Sequence, residues 1–252
     1  MISVVLVNLN EAGKLERCFK SLSGFADEIV ILDLGSSDRS LAICKEHNAK
    51  VFNHPFVPFV EKVRNLAVSK AKGEWVLVLD PDETISDSLK DKLKQVSLED
   101  KFVAVNISRK NIFFGKWIAH TNWWPDKHVR FFKKGSVEWS EKIHRYPKIS
   151  GKVLSLQAKE DLAIEHFGYD SISEFLDRQN RYSTIEAENL FSNGVKFSLL
   201  NLFWKPKREF LVRFLRHAGF LDGFEGFALT ILMMIYQVQV MIKLWELEKQ
   251  KQ

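Results

Sequence analysis

The chain has 252 residues, of which 46% are hydrophobic and 27% are charged, and this balance excludes an intrinsically disordered protein. The formal net charge is +5 at pH 7, and residues 191–252 contribute +4 of it, with nine Lys or Arg and five Asp or Glu. Because the excess positive charge is confined to the last quarter of the chain, we exclude a uniform nucleic-acid-binding surface.

The first hundred residues alternate between short apolar strands and amphipathic helices. The predicted strands are 3–8, 28–32, 50–52 and 75–79, and the predicted helices are 12–22, 39–47, 59–71 and 86–96. Strands that alternate with helices at this spacing indicate βαβ units. We therefore predict an α/β fold with a mostly parallel central sheet.

The pattern changes after residue 98. Two further strands, 102–109 and 128–133, are predicted on either side of an aromatic-rich loop, 111–126. The rest of the chain is predicted to be helical, with helices at 171–193, from Pro206 towards 217, and at 225–249. Pro206 is placed in the first turn of its helix, where proline is favoured. We predict an α/β domain over 1–170 and a helical region over 171–252.

The two cysteines, Cys18 and Cys44, fall in predicted helices and match neither a metal-site spacing nor a disulfide framework. This usage is typical of a reducing compartment. The chain starts directly with a strand and shows no basic leader, so we predict that it has no signal peptide and is cytoplasmic.

A cluster of carboxylates follows the apolar run 76–79. Asp80, Pro81, Asp82 and Glu83 come directly after it, and Asp80 and Asp82 leave the same face of an extended chain. Hard oxygen ligands of this kind suit Mg²⁺ or Mn²⁺, usually with substrate phosphates in the shell. The alternative is that the carboxylates form the acidic N-cap and first turn of the helix 86–96.

Polar residues follow three of the predicted strands. They lie at 8–11, 33–38 and 80–82. In a parallel sheet the carboxyl ends of the strands meet at one edge, where open α/β sheets bind ligands. The three segments are therefore expected to face one crevice.

This arrangement resembles the nucleotide-sugar-binding domain of family 2 glycosyltransferases, the GT-A fold. The resemblance rests on four ordered motifs: VLVNLNE at 5–11, IVILDLGSSDRS at 29–40, KVRNLA at 62–67 and LDPDE at 79–83. Four motifs in order are more specific than any one of them. The later segments 129–133, 165–169 and 181–183 are similar to the branch that contains lipopolysaccharide-core glucosyltransferases.

The resemblance implies a donor site and a metal site. The donor-binding residues would be Asn8, Asn10, Glu11, Asp33, Arg64 and Asp80. Asp33 would accept a hydrogen bond from the uracil imide, or it only caps the turn at Gly35. Asn10 and Glu11 would border the nucleotide, or one of them caps the helix 12–22. Asp82 would ligate Mn²⁺ or Mg²⁺ between the two phosphates, with Asp80 as a further ligand or near the ribose.

The reaction implied is an inverting displacement, in which a carboxylate acts as general base on the acceptor hydroxyl. Members of the core-glucosyltransferase branch carry a His-Glu pair after the strand 129–133, but here His144 is followed by Arg145. The remaining candidates for the base are Glu141, Glu138 and Asp126. Glu138 and Glu141 also fit ordinary solvent-facing charges.

Acceptor contacts are predicted for Trp123, Trp124, Arg130 and His144. Aromatic planes suit the apolar faces of sugars, but the tryptophans fit a packed core equally well. Arg130 either supports the site or pairs with an acidic neighbour. His144 would orient an acceptor or a phosphate, and the isolated His166 is interpreted as structural.

The C-terminal segment 196–245 mixes basic with apolar and aromatic residues. This composition fits contact with an anionic membrane surface, such as the cytoplasmic face of the inner membrane. A helical subdomain with a basic outer face is the alternative. Residues 227–245 are long enough to span a membrane, but Gln237, Gln239 and Lys243 interrupt them, which favours an in-plane, packing or oligomer helix.

We therefore predict an inverting, metal-dependent glycosyltransferase that uses a nucleotide sugar, in particular a UDP-sugar. The acceptor would be a cell-envelope glycan or a lipid-linked acceptor such as lipopolysaccharide core. One rival is a nucleotidyltransferase, but it needs a glycine-rich basic loop, and residues 8–14 contain one glycine. The other rival is a decayed nucleotide-sugar-binding scaffold, suggested by Arg145.

Overall fold

The computed structural model describes residues 1–140 and 146–251. The chain separates into two compact units. Unit 1 comprises Met1–Arg109 and Asp126–His166, and unit 2 comprises Lys110–Pro125 and Phe167–Gln252. The predicted domain boundary after residue 170 stays a prediction.

Unit 1 begins with alternating strands and helices. These are β1 (Ile2–Asn8), α1 (Ala12–Ser21), β2 (Glu28–Asp33), α2 (Ser40–Glu46), β3 (Lys50–Asn53), α3 (Glu61–Ser69), β4 (Trp75–Val78), β5 (Glu83–Ile85) and α4 (Asp87–Glu99). Every strand and helix predicted in this part is present, with ends within about three residues of the prediction, as expected for boundary assignments. Only the short strand β5 was not predicted.

The remaining strands are shorter on average and less regular. They are β6 (Ala104–Phe113), β7 (Lys116–Trp117), β8 (Asp126–Lys133), β9 (Val137–Glu138), β10 (Lys148–Ile149), β11 (Val153–Ser155) and β12 (Ile164–Tyr169). The large sheet has the strand order β3-β2-β1-β4-β8-β6-β12-β5, and β9 and β10 form a separate antiparallel pair.

The first four strands of the sheet run parallel, in the order β3-β2-β1-β4. Asn8 at the end of β1 lies opposite Asp33 at the end of β2. Just beyond the end of β4, the Leu79 N–H donates to the Val5 carbonyl at 3.1 Å. The predicted α/β fold is confirmed, and the carboxyl ends of these strands meet at one edge.

Strand β1 is apolar throughout because both faces of the sheet are covered. Val4 and Leu6 pack in one buried cluster, with Leu15 of α1. Val5 packs in the opposite cluster, with Val63 of α3. Neighbouring side chains of a strand point to opposite faces, so helices on both sides require a continuous apolar run.

The predicted loop 111–126 is in part a hairpin, so that prediction was wrong. Within unit 2, β6 continues to Phe113 and turns back into β7 through Phe114 and Gly115, which have φ of 54° and 78°. The Ile118 N–H donates to the Asn111 carbonyl at 2.9 Å. Phe113 is buried, and burial of this aromatic residue extends the strand beyond its predicted end.

The helices of unit 2 are α5 (Ile172–Ser192), α6 (Leu199–Phe210) and α7 (Gly223–Gln250), with a π-helical stretch at Leu211–Arg216. The prediction that Pro206 lies in a first turn was wrong, because α6 begins at Leu199 and contains Pro206 in its interior. Pro206 is buried and Leu202 packs against Met241 and Leu244 of α7. This packing outweighs the backbone hydrogen bond that proline cannot donate.

One side of helix α7 packs against α5 in unit 2. Leu229 and Met233 pack with Phe175 of α5, and the Lys243 ammonium donates to the Asn180 carbonyl of α5 at 2.7 Å. In the part of the chain that the structure describes, Gly219–Gln250 is the one helix whose length and composition suit a membrane span, with a mean hydropathy of 1.7. About 39% of that apolar window is buried inside the protein, so one side of the helix packs and the choice among an in-plane, packing or oligomer helix stays a prediction.

A buried carboxylate joins the amino ends of β1 and β2. The Glu28 carboxylate accepts hydrogen bonds from the Ser3 hydroxyl at 2.7 Å, the Lys72 N–H at 2.7 Å and the Lys50 ammonium at 2.6 Å. Burial by itself would raise the pKa of Glu28, but these donors outweigh burial and lower the pKa to about 2. The carboxylate therefore stays ionised in the folded protein.

This site predicts an acid-dependent loss of stability. Because the folded-state pKa of Glu28 lies below the value of 4.5 for a free side chain, its stabilisation is complete above about pH 5 and is lost as the pH falls towards 2. We expect about 2 kcal/mol, since half-exposed Lys50 is screened by solvent. Urea unfolding from pH 7 to 3 should show the gap between wild type and Glu28→Gln closing as pH falls. The exposed Glu46→Gln is the matched control, and a gap independent of pH would contradict the assignment.

Candidate functional site

The ends of β1 and β2 are joined by a buried network around Asp33. One oxygen of Asp33 accepts from the Asn8 amide at 3.1 Å and from the Ser36 hydroxyl at 2.6 Å. The other accepts from the N–H groups of Gly35 at 3.0 Å and Ser36 at 2.8 Å. Burial by itself would raise the pKa of Asp33, but the hydrogen bonds to its carboxylate have the larger effect, so the pKa lies below its usual value. Asp33 thus caps the turn at Gly35, and its contact with uracil stays a prediction.

Asn10 ties the loop after β1 to the loop after β2. It has φ of 54°, and its side-chain carbonyl accepts from the Ser37 N–H at 2.8 Å. The N-terminus of α1 is capped by Asp38, whose carboxylate accepts from the Ala12 N–H at 3.0 Å. Glu11 occupies the N-cap position of α1 and its backbone carbonyl accepts from the Leu15 N–H at 2.9 Å, but its side chain makes no cap hydrogen bond. Asn10 and Glu11 stay candidates for the nucleotide.

The carboxylate cluster does not cap α4 either. The side chain of Ser86 caps that helix and accepts from the Leu89 N–H at 3.1 Å. The carboxylates of Asp80, Asp82 and Glu83 all precede this cap, and the short strand β5 begins at Glu83. The alternative of an acidic N-cap and first helical turn is excluded by this geometry.

Asp80 belongs to a buried group of opposite charges. One Arg130 nitrogen lies 3.0 Å from Asp80 and 2.8 Å from Glu83, and Arg64 lies 3.9 Å from Asp80. Glu83 also accepts from the Asp80 N–H at 2.9 Å. Burial would raise the pKa of Asp80, but Arg130 and Arg64 outweigh burial and hold it well below its usual range. Arg130 was predicted either to support the site or to pair with an acidic neighbour, and in the structure it pairs with Asp80 and Glu83.

Asp82 is the carboxylate that the protein leaves partly unsatisfied. One oxygen lies 3.5 Å from the His166 ring nitrogen, and Asp82 is 8% exposed. The other oxygen is buried and has no hydrogen-bond partner in residues 1–140 and 146–251. Burial would raise the pKa of Asp82, but His166 outweighs burial and lowers it. A buried charged oxygen without a partner is costly, which marks a position suited to a ligand.

The donor set at Asp82 fits a divalent cation that also binds substrate. It offers one carboxylate and one imidazole. No group of three or more His, Cys, Asp or Glu side chains able to hold a metal occurs among the described residues. Mg²⁺ typically takes one or two carboxylates and completes its shell with phosphates and water. His166 was interpreted as structural from the sequence, and its only functional signal was its place in the segment 165–169. In the structure it lies opposite Glu83 in the register of β12 and β5.

Asp126, a candidate base, is held by two basic groups. It lies 2.7 Å and 2.9 Å from two Arg109 nitrogens and 2.7 Å from the His128 ring. Burial would raise the pKa of Asp126, but His128 and Arg109 outweigh burial and hold it well below the usual range. A carboxylate with such a low pKa is a weak proton acceptor. Its role as the base stays a prediction.

The other candidate bases follow an anchored segment. Glu138 is exposed on β9, and the neighbouring Trp139 backbone forms two hydrogen bonds with the Asn65 side chain, at 2.8 Å and 3.0 Å. The Arg64 guanidinium lies 5.9 Å from the Trp139 ring centroid. This contact places the segment of Glu138 beside the arginine that faces Asp80. Glu141 and His144, with Arg145, lie outside the described residues.

Trp123 and Trp124 belong to unit 2. Trp123 packs edge-on against Phe113 at 5.0 Å between centroids, and the Arg213 guanidinium lies 5.4 Å above it. Trp124 packs edge-on against Trp117 at 5.6 Å. These contacts agree with the packed-core alternative for Trp123, and acceptor binding by either residue stays a prediction.

Comparison with known proteins places this site in a family. Residues 3–150 match the model of Glycosyl transferase family 2. An uncharacterized glycosyltransferase of Rickettsia typhi is 26% identical over 98% of this chain and 87% of its own length. The lipopolysaccharide core biosynthesis glycosyltransferase LpsC of Rhizobium meliloti is 23% identical over 97% of this chain and 92% of its own length.

Among solved structures, glucosyl-3-phosphoglycerate synthase of Mycobacterium tuberculosis, in complex with Mn²⁺ and UDP, is 24% identical to this chain. The match covers 43% of this chain and 44% of that one, with a TM-score of 0.38. The fold assignment of this chain rests on its own sheet order and on the family match, which spans more than half of its length. The chain belongs to glycosyl transferase family 2 and is a glycosyltransferase.

Proposed function

We propose that this chain is an inverting, metal-dependent glycosyltransferase that takes its sugar from a UDP-linked donor. The observation that carries the proposal is Asp82, whose buried oxygen has no hydrogen-bond partner in the described part of the chain while its other oxygen lies 3.5 Å from His166. This pair sits beyond the carboxyl end of β4, the edge where α/β sheets bind nucleotides.

Asp82 and His166 would hold Mn²⁺ or Mg²⁺ against the diphosphate of the donor. When bound, the ion stabilises the negative charge that develops on the leaving diphosphate. Arg64, 3.9 Å from Asp80, supplies a positive charge on the same side of the site. Asp33 would bind the uracil of the donor, because its ionised carboxylate accepts hydrogen bonds, including one from the imide N–H, but donates none. Asn8 keeps Asp33 in place through the 3.1 Å hydrogen bond.

The general base that deprotonates the acceptor hydroxyl is proposed to lie in the segment after β8. Asp126 is paired with Arg109 and His128, so it is poorly suited to take a proton from the acceptor hydroxyl. Glu138 is exposed and directly precedes Trp139, whose ring lies 5.9 Å from the Arg64 guanidinium. We therefore favour Glu138 or Glu141 as the base, with one direct displacement that inverts the anomeric configuration.

The acceptor is proposed to be a cell-envelope glycan or a lipid-linked acceptor such as lipopolysaccharide core. Similarity to LpsC over nearly the full length of both chains supports this acceptor class. We also propose a cytoplasmic location. Cys18 and Cys44 are both free and buried, as is usual for proteins of a reducing compartment.

Calorimetric titration with UDP tests the donor and the metal together. We expect UDP to bind in the presence of Mn²⁺ and binding to be lost when EDTA removes the ion, because the ion joins Asp82 to the diphosphate. A thermal-shift series with UDP-, GDP-, ADP- and dTDP-sugars then identifies the nucleotide, since a bound ligand raises the melting temperature by mass action. UDP binding that is equal with and without Mn²⁺ would contradict the proposed metal site.

Turnover separates the enzyme from its rivals. A UDP-sugar that binds but is neither transferred nor slowly hydrolysed would indicate a decayed scaffold instead. Release of pyrophosphate from a nucleoside triphosphate and a sugar phosphate would indicate a nucleotidyltransferase. Gly13, in the first turn of α1, is the single glycine between Asn8 and Lys14, and this makes a phosphate-cradling loop after β1 a poor fit.

A further inference from the structure

The exposed face of helix α6 is apolar. Leu199, Leu200, Phe203 and Trp204 are 65%, 77%, 73% and 49% exposed. Their spacing of one and four residues places all four on one side of the helix. The outer face of a helix in a globular protein normally carries polar and charged residues. A contiguous exposed patch of large apolar side chains instead marks a surface that is covered by another apolar phase.

Positive charge continues this face. Lys207 and Arg208 are exposed one turn after Phe203 and Trp204, on the same side of α6. The acidic residues of the stretch 196–224 are turned away from it, since Glu209 pairs with Arg213 at 2.7 Å and Asp222 is buried. The exposed charge beside the apolar patch is therefore positive.

A groove of about 510 Å³ opens next to this face, between α6 and α7. Apolar side chains line it, among them Leu202 of α6 and Met234 and Val238 of α7. Phe203 and Lys207 border the groove and also belong to the exposed face of α6. An apolar groove with an ammonium group at its border matches one molecule in particular, a lipid with an acyl chain and an anionic headgroup.

We propose that α6 lies in the plane of an anionic lipid bilayer. Leu199, Leu200, Phe203 and Trp204 enter the boundary between headgroups and acyl chains, and the groove between α6 and α7 takes an acyl chain. Lys207 and Arg208 bind the anionic headgroups. The proposed binding is peripheral, and one side of α7 packs against α5 inside unit 2.

Charge complementarity distinguishes the bilayer from a second copy of the chain. In a two-fold contact through this face, the same cations of both copies would meet, and the acidic side chains of the stretch are paired or buried. An anionic lipid surface supplies the opposite charge to the Lys and Arg side chains near it. The proposal uses residues of unit 2 only, so it does not depend on the donor site.

Vesicle co-sedimentation of the full chain tests the proposal. We expect binding to vesicles of 30% phosphatidylglycerol in phosphatidylcholine and at least tenfold weaker binding to pure phosphatidylcholine. Lys207→Glu/Arg208→Glu should weaken binding to the anionic vesicles at least tenfold, and Leu200→Glu/Trp204→Glu should abolish it, because the apolar contact is lost. Brominated lipids should quench tryptophan fluorescence in the wild type and much less in Trp204→Phe.

Matched controls show whether the loss of vesicle binding comes from this face of α6 or from a general change in net charge or folding. Lys45→Glu/Lys159→Glu changes the net charge equally at exposed sites of unit 1, and Leu98→Glu removes an apolar side chain that is 85% exposed. Both should bind vesicles like the wild type, and circular dichroism should show that all variants are folded. Equal binding to both vesicle types, or a dimer in solution that Leu200→Glu/Trp204→Glu dissociates without any vesicle binding, would overturn the proposal. So would resistance of the vesicle-bound protein to carbonate extraction.

Discussion

Asp82→Ala is expected to abolish Mn²⁺-dependent UDP binding and to lower kcat/KM by about 10³-fold or more, because stabilisation of a developing charge is a large share of such catalysis. One buried Asp82 oxygen has no hydrogen-bond partner in the described residues and is therefore open to a ligand, while the other oxygen faces His166 at 3.5 Å. Calorimetry with UDP and Mn²⁺ measures the first effect, and steady-state transfer with the donor found by thermal shift measures the second.

The stability of a second variant, Asp82→Asn, makes the test sharper. Removing a carboxylate that holds the fold together lowers the stability strongly, whereas removing one kept for a ligand costs little. Because Asp82 keeps a 3.5 Å contact with His166 while its other oxygen makes no hydrogen bond within the described residues, we expect Asp82→Asn without metal to lower the free energy of unfolding by only about 1 kcal/mol. Asp91→Ala, at an exposed position of α4, removes the same charge and should change neither binding nor stability. A much larger loss of stability in Asp82→Asn with normal UDP binding would assign Asp82 to the fold.

The sheet and its binding edge were predictable because their signals are local. A strand covered on both faces is a continuous apolar run, as in β1 and β4, and the polar residues that end each strand are read directly from the sequence. The role of Asp33 in its turn was predictable for the same reason, because the N–H groups that donate to its carboxylate in the turn lie within three residues of it, at Gly35 and Ser36.

The distinction between Asp80 and Asp82 was not predictable, because distant residues make it. Asp80 is neutralised by Arg130, 50 positions further along the chain, and Asp82 faces His166 from β12. Chain order does not show which strand lies beside which when the sheet switches from parallel to antiparallel neighbours. Contacts with distant residues also explain why α6 continues past Pro206, where the local preference of proline predicted the start of a helix.

Arg130→Met is expected to lower the free energy of unfolding by about 3–5 kcal/mol, because it leaves buried carboxylates without their cation. Arg130 is 6% exposed and Glu83 is fully buried, and the two lie 2.8 Å apart. Methionine keeps most of the volume of the side chain, so the loss reports on charge rather than on a cavity. Chemical denaturation at pH 7 measures the loss in the free energy of unfolding. The control is Arg39→Met at an exposed position, whose free energy of unfolding should stay within about 0.5 kcal/mol of the wild type.

The pH dependence of this loss identifies its cause. Burial raises the pKa of Glu83 even in the wild type, and without Arg130 burial acts unopposed by that cation. A carboxyl group whose pKa is higher in the folded than in the unfolded chain binds a proton on folding, so stability falls as the pH rises above about 4.3. Arg130→Met should therefore lose more stability at pH 8 than at pH 5, and Arg130→Met/Glu83→Gln should recover part of the loss and most of the pH dependence. An equal loss in the free energy of unfolding at pH 5 and pH 8 would mean that Arg130 stabilises the protein by packing and not by its charge. In that case the ion pair of Arg130 would not be what holds Asp80 in place.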